Sequence, residues 1–107
     1  MTGVSSRISG FYKRAPGERL RAILDLGVLD AGAAEHLAGG GGLEVAIADR
    51  MSENVIATHG LPLGIALNFL VNDGDVLIPM AVEEPSIVAA CSNAAKMVRG
   101  SGGFFHE

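Results

Sequence analysis

The chain has 107 residues, a formal net charge of −4 and 49% apolar content. That excludes a disordered polymer and fits one domain or part of one. No apolar run approaches the roughly 20 residues of a membrane span, no signal-peptide core opens the chain, and a single cysteine, Cys91, excludes an internal disulfide, so a cytoplasmic protein with no membrane partner is expected.

The charge is uneven. Arg7, Lys13, Arg14, Arg19 and Arg21 face only Glu18 in the first 21 residues, and the remainder is acidic. A basic N-terminal arm suits phosphates, and a solvated helix face is the plain alternative. No basic patch is interleaved with aromatics, so no nucleic-acid partner is expected.

Pro16 opens a helix with Leu20, Ile23 and Leu24 at helical spacing, and Gly27 is its stop. Asp30 caps a second short helix carrying Ala33, Ala34 and Leu37, which ends at Gly39. Leu43, Ile47 and Met51 fall at i, i+4 and i+8 and predict a third. The glycines Gly39 to Gly42 have neither a preceding strand pattern nor the spacing of a dinucleotide fingerprint, and no Gly-Lys-Ser/Thr ending. They read as a helix–helix joint.

The period then changes from helix to strand. Larger side chains occupy odd positions from Leu63 to Val71 and even positions from Val76 to Val82, around "NDGD". Asp73-Gly74 is a type I′ turn signal and predicts a hairpin over about 63–82. With that turn, Val71 faces Val76, Phe69 faces Ile78, Leu67 faces Met80 and Ile65 faces Val82. Pro79 implies a free or irregular edge. Ile87, Cys91, Ala94 and Val98 then mark one stripe of a helix over about 85–99, and glycines end it. Phe104 and Phe105 stand close to the end, as though the chain were cut and continued into something they pack against. The fold class is α+β: short N-terminal helices, a hairpin, and a following helix.

Where the hairpin hands over to the helix stands "VEEPS". Strand parity carried past Val82 puts Glu84, not Glu83, on the face of Ile78, Met80 and Val82. Pro85 suits the first helical position, which makes Glu84 a candidate N-cap. A carboxyl at the edge of an apolar face is also a candidate general acid. The residues alone leave both readings open. Ser86 either bonds a ligand or completes the first turn. His36, His59 and His106 share no ligand spacing with one another or with Cys91, so no metal site is expected. Cys91 reads as a small core residue.

The stretch from Glu53 to Phe104 resembles bacterial class II 3-hydroxy-3-methylglutaryl coenzyme A reductases. "ENVI", the following "LP", "NDGDVLIPMAVEEPSIVAA" and "GGF" carry the likeness, and "SRISGFYKRAPGERL" is similar to the family's opening. The resemblance implies part of a larger α/β oxidoreductase that interconverts hydroxymethylglutaryl coenzyme A with mevalonate and coenzyme A, using NAD(H) or NADP(H). It implies that Glu84 is the catalytic acid and that Ser86 contacts the hydroxymethylglutaryl group. The resemblance also associates Arg7 with coenzyme A, and it implies that Glu53 and Asn54 lie at a homo-oligomer's dimer interface, where active sites are shared. Ala57 stands where the family has glycine.

The family's nicotinamide domain, catalytic lysine, aspartate and C-terminal histidine have no counterpart here, and Lys96 and His106 do not take those places. Residues 1–52 are expected to be a helical N-terminal region and 53–107 the start of the substrate-binding domain. The chain by itself is expected to be inactive. The alternative is a stand-alone binding or oligomerisation module without chemistry.

Overall fold

The computed structural model describes residues 5–107. A 3-10 turn at Phe11–Lys13 leads to helices α1 (Pro16–Asp25), α2 (Ala31–Ala38) and α3 (Val45–Met51). Strands β1 (Leu63–Val71) and β2 (Gly74–Ala81) and helix α4 (Ile87–Arg99) follow. The chain divides into two compact units: Tyr12–Gly60, and the described residues up to Phe11 together with Leu61–Glu107. The α+β class and the order of elements are those predicted.

In the helical unit, local chemistry sets the boundaries. Pro16 takes the first position of α1, and Glu18 sits in the first turn, where the helix dipole favours an acid. Gly27 ends the segment at φ +76°. Asp30 caps α2: its Oδ1 accepts from the Ala33 N–H at 2.7 Å. Gly40, Gly41 and Gly42 all have positive φ, at +100°, +57° and +87°, so the joint has a defined course that side chains would strain. The core is thin. Ile23, Ala34 and Ala48 are buried, and α1 packs on α2. The stripe predicted for α3 does not form: Leu43 precedes the helix, and Ile47 and Met51 are exposed.

In the other unit, β1 and β2 form the predicted antiparallel hairpin, with a different register. The central turn residues are Asn72 and Asp73, at φ +49° and +64°, and not Asp73-Gly74. Val71 therefore opposes Gly74, and Phe69 opposes Val76. A bulge between Ala66 and Phe69, with Asn68 at φ +70°, then shifts the ladder, so that Ala66 opposes Ile78 and Gly64 opposes Met80. Without the bulge, parity would put Leu67 and Ile65 on that face. With it, two small residues replace two large ones.

Helix α4 packs against β1. Ala66 and Ala95 are fully buried, and a Cβ added at Gly64 would lie 3.3 Å from Val88. The stripe toward the hairpin is Val88, Cys91, Ser92, Ala95, Val98 and Arg99, one residue round from the predicted one. Cys91 and Val98 keep their places, while Ile87 and Ala94 are exposed. Helix and bulge also satisfy one another. The Leu67 N–H donates to Ser92 Oγ at 2.9 Å, and Asn68 Nδ2 donates to the Ser92 carbonyl at 3.0 Å. Backbone groups released from the ladder are paired in this way.

The segment after α4 extends the sheet along β1. The Phe104 N–H donates to the Leu70 carbonyl at 2.7 Å, and the Asn72 N–H donates to the Phe104 carbonyl at 2.8 Å. Phe104 stacks on Phe69 with ring centroids 5.4 Å apart. His106 serves through its backbone, which pairs with both side-chain polar atoms of Asn72.

Candidate functional site

The passage between β2 and α4 carries the acidic pair. β2 ends at Ala81, and one further hydrogen bond, from the Val82 N–H to the Pro62 carbonyl, holds the chain at 3.2 Å. Strand parity therefore stops before the glutamates, and Glu83, Glu84, Pro85 and Ser86 are all exposed. Two sequence expectations are corrected. Glu84 is not on an apolar face, and it is not the N-cap. That position belongs to Ser86, and α4 begins at Ile87 rather than Pro85. The reason is the backbone of Ser86, left-handed at φ +74°, which breaks any helix that would run through Pro85.

A non-glycine residue in that region is uncommon and costs about 1–3 kcal/mol. The hydroxyl of Ser86 makes no capping bond, although its carbonyl accepts the Ala90 N–H at 2.8 Å. Among the described residues Glu84 enters no ion pair. A free carboxyl and a free hydroxyl thus flank Pro85, beside a helix N-terminus that lacks a side-chain cap. Chemically this arrangement can give or take a proton at the carboxyl. It can also hold an anionic group with the hydroxyl and the first-turn N–H groups.

Arg7 is exposed, and its neighbour Ser6 is fully buried. Ser6 is held on three sides. Its N–H meets Asp75 Oδ1 at 3.1 Å, and its hydroxyl lies 2.7 Å from the same oxygen and 2.9 Å from the Phe69 carbonyl. Its carbonyl accepts the Asn68 N–H at 2.9 Å. Arg99, at the last turn of α4, pairs with Asp75 Oδ1 at 2.9 Å and reaches Ser6 Oγ at 3.4 Å. This cluster was not expected from the sequence. The available signal was an acid inside an apolar strand, which needs a partner when partly buried.

Hydrogen bonds from the Arg99 guanidinium and from Ser6 hold the Asp75 carboxyl at about 2, below its ordinary 3.8. The depressed value gives the sign of the pH dependence. The native state gains stability above the unfolded value and loses it as pH falls through the folded one. The difference corresponds to about 2 kcal/mol at neutral pH. Urea midpoints of the native protein and Asp75→Asn should differ at pH 7 and converge toward pH 2. A gap unchanged at pH 2 would contradict this.

The cluster and the glutamate passage lie toward opposite ends of α4. Thirteen helical residues separate Ser86 from Gly100, a rise of about 20 Å. Ser86 and the Ser6–Asp75–Arg99 cluster therefore belong to two separate places and not to one small site. Glu53 and Asn54 belong to the helical unit. They follow α3 in an exposed turn with Asn54 at φ +57°, and Ile56 just beyond is 95% exposed. Among the described residues no cluster of His, Cys, Asp and Glu could hold a metal, and no helix is long and apolar enough to cross a membrane.

The family profile described as "Hydroxymethylglutaryl-coenzyme A reductase" matches residues 15–107. The 3-hydroxy-3-methylglutaryl-coenzyme A reductase of Archaeoglobus fulgidus is 56% identical over 102 residues, which take in 94% of this chain and 23% of that protein. The class II reductase of Streptococcus pneumoniae, solved bound to NADPH in open conformations, superposes with a TM-score of 0.85 at 36% identity, covering 91% of this chain and 26% of that one. A further structure of the Streptococcus pneumoniae reductase gives a TM-score of 0.85 and covers 23% of that chain. The chain thus spans about a quarter of the length of these relatives.

Proposed function

Because the chain belongs to the hydroxymethylglutaryl-coenzyme A reductase family, we propose that its 107 residues are the N-terminal part of an oxidoreductase that interconverts hydroxymethylglutaryl coenzyme A with mevalonate and coenzyme A. The observation that carries the reading is the exposed, uncapped Glu84–Pro85–Ser86 passage ahead of α4. Glu84 donates a proton to the thioester carbonyl oxygen as negative charge builds there, and takes it back in the reverse direction. Ser86 and the start of α4 bind the hydroxymethylglutaryl end, whose carboxylate suits a helix N-terminus. Arg7 binds the phosphate-bearing coenzyme A end. The separation along α4 supports this division, because the substrate is long and its two ends differ in chemistry.

The reductant is a nicotinamide cofactor, as the relative solved with NADPH supports. The described residues do not fit it. Gly39–Gly42 join two helices, with no strand leading in, and so lack the cradle that a dinucleotide's phosphates require. Cofactor binding is assigned to chain beyond these residues, together with the remaining catalytic groups. Residues 53–107 begin the substrate-binding domain. Glu53 and Asn54 lie at a homodimer interface, which the exposed Ile56 beside them supports. The protein works in the cytoplasm.

The protein made from its full reading frame should oxidise a nicotinamide only when hydroxymethylglutaryl coenzyme A is added, and residues 1–107 alone should show no turnover. Turnover by the 107 residues alone would overturn the assignment of the missing groups. A full-length protein without thioester-dependent oxidation would leave the binding-module reading in its place.

A further inference from the structure

We propose that Asp75, Arg99 and Ser6 form a clasp whose role is to position Arg7 for the phosphate-bearing end of the coenzyme A thioester. The inference rests on the reading of Arg7 given above and adds three positioning residues to it. Ordering a segment that belongs to no helix or strand costs conformational entropy unless something ties it down. Here Ser6 is fully buried and held through its N–H, its hydroxyl and its carbonyl. Its partners lie 63 and 69 residues away in sequence, in β1 and at the start of β2. Arg99 reaches in from a third element and neutralises Asp75 while touching the Ser6 hydroxyl.

This much polar apparatus fixes one small side chain, and the residue after it is an exposed arginine. The Arg7 N–H is tied as well, to Ser5 Oγ at 3.2 Å. Among the described residues Arg7 itself enters no ion pair. A cation on a fixed backbone loses less freedom when it meets a phosphate than one on a loose arm. The clasp also stands about 20 Å along α4 from Ser86, so its loss should weaken binding and leave the chemistry intact.

The test is a double-mutant cycle in the protein made from its full reading frame. Asp75→Asn should raise KM for hydroxymethylglutaryl coenzyme A about tenfold, while kcat and the nicotinamide KM hold within about twofold. Arg7→Ala should produce a similar rise. The double variant should match Arg7→Ala, because a displaced arginine and an absent one are equivalent. A merely structural Asp75 would lower thermal stability, leave KM for the thioester in place, and add independently to Arg7→Ala. That result would overturn the clasp while keeping the role of Arg7. A KM unmoved by Arg7→Ala would instead remove the reading of Arg7, and the clasp proposal with it. If Asp75→Asn does not fold, Ser6→Ala removes only one hydroxyl and should still raise KM for the thioester by about threefold. An unchanged KM there would equally overturn the proposal.

Discussion

Replacing Glu84 with Gln in the protein made from its full reading frame should lower kcat by about 10²- to 10⁴-fold, the usual contribution of a positioned general acid. The thermal midpoint should hardly move. Gln keeps the shape of Glu and much of its hydrogen bonding but cannot deliver the proton. Glu84 is exposed, enters no ion pair among the described residues and does not cap α4, so its change should alter stability by less than about 0.5 kcal/mol. KM for the thioester should stay close to native, because a proton delivered at the transition state contributes nothing to ground-state binding. A helix-capping Glu84 would show the opposite pattern, with a lowered midpoint and full turnover. The capping position is held by Ser86, which already argues against that pattern.

The largest stability effect is expected at Gly103, where Ala should cost about 3 kcal/mol. Gly103 sits at φ +87°, and an added Cβ would strike the Leu70 carbonyl oxygen and lie 2.9 Å from the Leu70 Cβ. The backbone conformation alone costs an L-residue about 1–2 kcal/mol. The clash lies beside the two hydrogen bonds that seat Phe104 on β1, each worth about 1 kcal/mol net. Relieving it would pull Phe104 from Phe69. For a domain of about 100 residues this corresponds to a melting midpoint lower by more than about 10 °C. Calorimetry of Gly103→Ala beside Gly17→Ala provides the check, since Gly17 has open space around it. Equal midpoints for the two variants would show that the segment after α4 is not seated on β1 as described.

Where short-range chemistry decides, the sequence was a good guide. Pro16, Gly27, Asp30 and Gly39 each act within a few residues, and the helices they bound are found where those residues place them. The hairpin was legible from its alternation, but its register was not. "NDGD" offers two adjacent turn pairs, and the Asp-Gly preference selects the wrong one. The bulge at Asn68 was hidden for another reason. It forms because α4 needs small residues beneath it, and Gly64 and Ala66, alternating with Ile65 and Leu67, were the overlooked sign. Ser86 gave no sign, since its left-handed backbone belongs to a residue type that rarely adopts it. The clasp at Ser6 left one sign, the acid Asp75 inside an apolar strand, but its partners were hidden because they are 63 to 93 residues apart from Ser6. The sequence singled out Glu84 twice, by parity and by resemblance. Strand parity does not reach Glu84, because β2 ends at Ala81; the family resemblance and the exposed, uncapped setting of Glu84 support its role instead.

The most direct measurement for the account is the stoichiometry of the reaction run by the protein made from its full reading frame. Reducing a thioester to an alcohol takes two hydrides and releases one thiol. Nicotinamide oxidation followed by absorbance, with free coenzyme A counted by a thiol reagent, should give two nicotinamides consumed for each coenzyme A released. Coenzyme A released without nicotinamide oxidation, or no thioester-dependent oxidation at all, would contradict the assignment of this chain to a working reductase.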